Sequence, residues 1–293
     1  ASSECLACDV ASACTPSSSS SSFAVGFISK DGELPCTFSQ EINGSHVVPT
    51  SGCQLSNVVV VGGVMSVSGE DQDKMSIVQA MGGTPSWHDS PRRHFTLDGN
   101  GNELRLSHLR LIGGTTATSS DEVTHHTHGG SIYANGALAY LSVVSCEFMN
   151  GESRYGGAIK TNSWTDIDDT LFENLRSGYG GAISARRMLR VTGSTFRSNT
   201  ATEGGGALFV WGTQSKAYLL GGRNKFVGNK VEGRDNRGNQ ISKYTSSNSP
   251  TSFLSFSTCP PGKVHPETIP EGSTVNFEEE FRGCPENCPT LSG

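Results

Sequence analysis

Ser145-Cys146-Glu147-Phe148-Met149-Asn150 leads to Gly156-Gly157-Ala158-Ile159, and the same phrase then returns twice. Asp169-Thr170-Leu171-Phe172-Glu173-Asn174 leads to Gly180-Gly181-Ala182-Ile183, and Ser194-Thr195-Phe196-Arg197-Ser198-Asn199 leads to Gly205-Gly206-Ala207-Leu208. The phenylalanines recur with a period of 24 residues, and a fixed period of that size marks a stacked repeat architecture. Runs such as Leu189-Arg190-Val191 and Leu208-Phe209-Val210 suit half-buried strands and not the 3.6-residue stripe of a helix. Two or three short strands per repeat, with no hairpin signal between them, describe one turn of a β-solenoid. Each strand then pairs in parallel with its own equivalent one coil later, about 4.8 Å away.

The motif residues take distinct roles in that frame. Phe148, Phe172 and Phe196 point inward and stack as a ladder, with Phe226 of the looser copy Asn224-Lys225-Phe226-Val227-Gly228-Asn229 as its last rung. Asn150, Asn174, Asn199 and Asn229 sit where the chain turns, because Asn tolerates left-handed backbone angles and its amide can bond the same amide one coil on. The Gly-Gly pairs supply backbone freedom for the next corner. Ala158, Ala182 and Ala207 are small enough to let it close.

Phe-x-x-Asn followed by Gly-Gly-Ala-Ile/Leu resembles the repeats of chlamydial polymorphic outer-membrane proteins, strictly over about 100 residues. The resemblance implies a right-handed, single-stranded parallel β-helix and an extracellular role in surface display or adhesion. The first two coils depart from it by reading Phe-x-Asn, and no membrane barrel follows.

At 293 residues the chain could hold two ordinary domains, but a solenoid grows by adding coils, so one long all-β domain with small caps is expected. A hydrophobic content of 34% is low for a globular core yet adequate for a thin column. A net charge of -6 argues against a nucleic-acid partner. No run of 18 apolar residues signals a membrane span. Nine cysteines, and an opening at Ala1 that reads as a processed product, indicate a secreted protein of the cell surface. No cofactor is expected.

Residues 1–55 carry Cys5, Cys8, Cys14, Cys36 and Cys53 and read as a disulfide-stapled N-terminal cap, with Asn43 in the glycosylation sequon Asn43-Gly44-Ser45. Residues 56–249 read as the β-helix, about eight coils and about 40 Å tall, with a lateral loop over 69–93 and an excursion from Thr115 to His128. Residues 250–293, with Cys259, Cys284 and Cys288, read as a Cys- and Pro-rich C-terminal cap. Cys146 aligns with Thr170 and Ser194 and is expected to be a buried free thiol. That leaves an odd number of cysteines at each end. Either each cap keeps a thiol, or caps of successive copies are joined head to tail in a filament, or a cap segment folds back along the column.

Three constellations bear on function. Asp166 and Asp168 face outward together and, with Lys160, are the residues a polysaccharide lyase or hydrolase would use. The ordered motifs of polygalacturonase-like enzymes and a calcium-binding acidic set are absent, so a solvated acidic face is the plainer reading. His125, His126 and His128 share a loop without a nearby carboxylate or Cys, which falls short of a metal site. Lastly, with Ile132, Ile159, Ile183 and Leu208 inward, one outward column is Tyr133, Lys160, Ser184, Phe209 and the next is Asn135, Asn162, Arg186, Trp211. Exposed there, Phe209 and Trp211 suggest glycan stacking or a self-association surface; a covering loop such as 233–250 is the alternative. The sequence therefore favours a non-enzymatic structural or adhesive β-helix, partnered by its own copies or by surface glycans.

Overall fold

The computed structural model describes residues 44–55, 57–80, 92–116, 127–212, 215–220, 223–232 and 238–244, with the backbone of two further strands, Phe253–Phe256 and Val275–Phe277. In the strict repeats each coil has four strands, one or two more than expected. The first of these coils runs Tyr140–Val144, Glu147–Met149, Glu152–Tyr155 and Ile159–Thr161. The next runs Trp164–Asp168, Leu171–Glu173, Arg176–Tyr179 and Ile183–Ala185. Each strand pairs in parallel with its equivalent: Leu141 with Thr165, Phe148 with Phe172, Glu152 with Arg176, Ile159 with Ile183.

Repetition of this path builds four sheets of eight, seven, four and eight strands, here called first to fourth in the order the chain visits them. The architecture is an all-β solenoid of parallel sheets. Its parallel pairing extends past the 56–249 boundaries: Gly44–Val48 pairs with Val64–Gly69, and Phe253–Phe256 with Lys216–Leu220. Part of the expected lateral loop is also wall, because Ser76–Gln79 is a strand of the second sheet. Among the described strand pairings only the last of the fourth sheet is antiparallel, Val275–Phe277 against Ile241–Tyr244.

The core follows from the alternation. Leu141 and Val143 lie over Leu104 and Leu106 on one side and Thr165 and Ile167 on the other, so one apolar column fills the inner face of the first sheet. In the second sheet Phe148, Phe172, Phe196 and Phe226 are fully buried. Their successive ring centroids are 5.0, 4.8 and 4.6 Å apart, with planes within 6° of parallel. These separations are close to one strand spacing, so each ring sits almost directly over the next.

Polar columns close the corners. Between the first and second sheets, the backbone N–H of Cys146 is 3.4 Å from Thr170 Oγ1, that of Thr170 donates to Ser194 Oγ, and that of Ser194 to Asn224 Oδ1. Cys146 is free and buried, and burial pushes its thiol up to about 12. Of the disulfide candidates, Cys53 is disulfide-bonded; Cys5, Cys8, Cys14, Cys36, Cys259, Cys284 and Cys288 lie outside the described residues, as does Asn43.

The asparagines form two columns where one was expected. Asn150 and Asn174 are exposed corner residues with φ of 57° and 53°, and Ser198 takes their place in the third coil. Asn199 and Asn229 lie one position further on and are buried. There Asn199 Nδ2 donates to Asn229 Oδ1 at 2.9 Å, and the backbone N–H of Leu175 donates to Asn199 Oδ1. The extra residue in Phe-x-x-Asn therefore moves the amide from the solvent side of the corner into the ladder.

At the following corner the two glycines of each pair differ. The first takes a left-handed φ, as at Gly180 (68°), where a side chain would be strained. The second has no room: a Cβ on Gly181 would lie 1.9 Å from the Gly206 carbonyl oxygen of the next coil.

Candidate functional site

The outward positions of the fourth sheet form one column, Thr96, Tyr133, Lys160, Ser184, Phe209 and Ser242, each opposite the next in register. On this face the expectation of an open, flat side is overturned. Tyr133, Lys160 and Phe209 are buried (4%, 1% and 8% exposed), Trp211 is half-buried, and of the five candidates only Arg186 is exposed. Part of the cover comes from the neighbouring sheet; most of the alternative covering loop, 233–250, lies outside the described residues. Tyr155 and Tyr179 end strands of the third sheet, immediately before the Gly-Gly corner, and their rings reach across that corner.

Tyr179 packs on Phe209 at 4.9 Å and on Tyr155 at 5.4 Å, and Tyr155 faces Trp211 at 6.3 Å. His128 stacks between Tyr133 (5.1 Å) and Tyr155 (5.2 Å). Cations are interleaved with these rings. Arg93 lies over Tyr133, Arg154 over Tyr155 and Tyr179, and both Lys160 Nζ and the Arg186 guanidinium lie 4.8 Å from the Trp211 ring. Such contacts gain strength where water is excluded. Tyr155 and Tyr179 were missed from sequence, although Tyr-Gly-Gly recurs in step with Phe148 and Phe172.

Lys160 is the unusual member. Its Nζ is buried with no hydrogen-bond acceptor. Burial above all, and then Arg186, bring its ammonium down from 10.5 to about 7. Three more buried polar atoms on or just beyond the strands of the same sheet lack partners: Ser184 Oγ, Asn162 Oδ1 and Trp211 Nε1. The remaining amide of Asn162 is used, Nδ2 donating to Asn135 Oδ1 at 3.0 Å.

A pH dependence of folding follows. Below pH 7 Lys160 is protonated in both states and the full penalty of a buried ammonium is present. Between pH 7 and 10.5 the folded state releases the proton while the unfolded state keeps it, so stability rises with pH, by at most about 1.4 kcal/mol per unit. Cys146 opposes this above pH 9.0, its ordinary thiol value, because the unfolded thiol then ionises first. Denaturant midpoints should therefore rise from pH 7 to pH 9 in the native chain and stay level in Lys160→Met. A level native profile would contradict the enclosure of the ammonium.

The residues of the enzymatic alternative are not brought together. Asp166 and Asp168 lie on Trp164–Asp168 of the first sheet, while Lys160 lies on the fourth. Asp166 is engaged on the surface, accepting from the Tyr140 hydroxyl at 2.7 Å with Arg190 4.0 Å away. His128 is part of the aromatic stack, and His125 and His126 lie outside the described residues. Among the described residues no three His, Cys, Asp or Glu side chains are placed to hold a metal ion, and no helix is long and apolar enough to cross a membrane.

Comparison with known proteins adds one match. The curated proteins and the solved structures give no significant match to the chain. Residues 193–210, which run from the corner glycine before Phe196 through Gly205-Gly206-Ala207-Leu208 into the fourth sheet, match a family model. That model is the Chlamydia polymorphic membrane protein repeat, so one copy of the stacked repeat is similar to it over its phenylalanine and Gly-Gly segments.

Proposed function

We propose that this chain is a non-enzymatic adhesive protein of the cell surface, a stiff column that presents one aromatic and cationic side to surface glycans. The carrying observation is the corner between the third and fourth sheets. There the half-buried Tyr155, Tyr179, Trp211 and Arg154 and the exposed Arg186 are gathered over the buried Tyr133, Lys160 and Phe209 on the outer side of the column, where they contribute nothing to the inner core. The match to a membrane-protein repeat supports a surface location, and the disulfide at Cys53 supports an oxidising, extracellular compartment.

Display of isolated columns is the reading we favour over head-to-tail growth. Val275–Phe277 runs antiparallel along Ile241–Tyr244 and occupies the edge on which another copy would continue the fourth sheet in parallel. The segments 1–55 and 250–293 serve in this reading as end caps whose strands are continuous with the stack.

The test incubates the purified chain with immobilised neutral and acidic polysaccharides and follows both retention and the release of reducing or unsaturated ends. Retention on at least one polysaccharide without release is expected. Ends released at ordinary turnover would establish the lyase or hydrolase reading instead, and absence of retention on every polymer would remove the adhesive one. Non-reducing electrophoresis should show a single monomer band; a reductant-sensitive ladder would restore the filament.

A further inference from the structure

Lys160 poses a problem that folding alone does not solve. An ammonium held in the dry corner, with Arg186 beside it and no acceptor on its Nζ, makes the folded chain less stable than an apolar side chain there would. Its neighbours relieve it only in part: Trp211 offers a ring face to the cation but no acceptor, and the nearby Trp211 Nε1 and Ser184 Oγ are themselves without partners. A ligand would supply what is missing.

We propose that Lys160, Arg186, Trp211 and Ser184 form a binding site for a carboxylate-bearing pyranose. The carboxylate would accept from Lys160 Nζ and the Arg186 guanidinium, a charge-assisted arrangement that removes the repulsion between the two cations. The sugar ring would take the place over the Trp211 indole that the exposed Arg186 now occupies, Arg186 turning to the carboxylate, since the apolar indole face suits the C–H side of a pyranose. Trp211 Nε1 could donate to a hydroxyl, while Ser184 Oγ and Asn162 Oδ1 are open acceptors. A neutral sugar would leave Lys160 unpaired, and a bare anion would make no contact with the indole.

Access lies on the Trp211 side. Lys160, Ser184 and Trp211 belong to successive coils, so the indole reaches back over the Ser184 coil to stand 4.8 Å from Lys160 Nζ. Trp211 is half-buried and Arg186 exposed, so these two form the wall nearest solvent and would have to turn outward to admit the ligand. This site deepens the adhesive reading by naming its ligand class.

Isothermal titration of the full chain with trigalacturonate and with sialyllactose, against maltotriose and sodium acetate, tests the proposal. Saturable one-to-one binding of at least one acidic sugar is expected, with maltotriose and acetate each at least tenfold weaker. The acidic sugar that binds identifies the source. Lys160→Met should weaken that binding at least tenfold while the chain melts no lower, and Arg186→Gln, at an exposed position, should weaken it as a second check independent of the core. No saturable binding by either acidic sugar, equal binding of maltotriose or acetate, or unchanged affinity in both variants would overturn the proposal. Polymer retention that survives in Lys160→Met, with sugar affinity unchanged in both variants, would leave adhesion standing and remove this site. Saturable sugar binding without polymer retention would do the reverse.

Discussion

Phe172→Ala is expected to lower the unfolding free energy by about 3–5 kcal/mol. The ring is fully buried in the middle of the ladder, 5.0 Å from Phe148 and 4.8 Å from Phe196. Truncation removes its transfer from water and two ring contacts at once. The walls cannot close over the gap, because each neighbouring coil is held by its own parallel hydrogen bonds at one strand spacing. Phe172→Leu restores most of the volume but neither ring contact, and should lose about 1–3 kcal/mol. Denaturant unfolding followed by hydrogen exchange at Ala182 and Ala207 reads both losses. A change below about 1 kcal/mol for Phe172→Ala would mean that the ring has water for a neighbour.

Gly181→Ala should be more damaging still, although it adds one methyl group. Its Cβ would stand 1.9 Å from Gly206 O and 2.8 Å from Thr200 N, both backbone atoms of the next coil. Neither can rotate away as a side chain would. Relief requires the coils to part at the hydrogen bonds from Gly181 N to Gly205 O and from Ala182 N to Ala207 O, 3.0 and 2.9 Å long. We expect a loss above about 4 kcal/mol, which places the variant among the most destabilising single substitutions. Gly62→Ala is the control, since nothing lies within 4 Å of a Cβ there and Gly62 is exposed; it should be close to neutral. Comparable soluble yield and melting temperature for the two variants would contradict the tight corner.

The two substitutions also show which parts of the fold were legible in the sequence. Phe172 could be placed inside because a 24-residue period with two-residue alternation fixes both the stacking partner and the facing side. Cys146 followed from the same alignment with Thr170 and Ser194. The third sheet was harder to see. Its strand Glu152–Tyr155 has no aliphatic residue, and the buried positions beneath it are small: Ser153 and, in register, Ser177 and Ala201. Hydrophobic alternation has nothing to register there.

The outer corner was half legible. Alternation correctly set Tyr133, Lys160 and Phe209 on the side of the fourth sheet away from the core, but it carries no information about what packs on that side. The cover depends on the angle at which the Gly-Gly corner brings the third sheet's tyrosines over the fourth. The two asparagine columns illustrate the same limit at the scale of one residue. Phe-x-Asn and Phe-x-x-Asn look like variants of one motif, yet Asn174 faces solvent at φ 53° while Asn199 is buried in the amide ladder.

Register between successive coils is the central claim, and an engineered cross-link measures it most directly. Asp168 and Thr192 face each other in adjacent strands of the first sheet, and in-register parallel strands about 4.8 Å apart bring two Cα atoms within disulfide reach. Asp168→Cys combined with Thr192→Cys should therefore oxidise to an intramolecular disulfide, detected as a linked peptide by mass spectrometry. Asp168→Cys combined with Arg190→Cys, displaced by two residues along the strand, should stay largely unlinked. Efficient linkage of the displaced pair, with none in the aligned pair, would show that equivalent residues do not lie over one another.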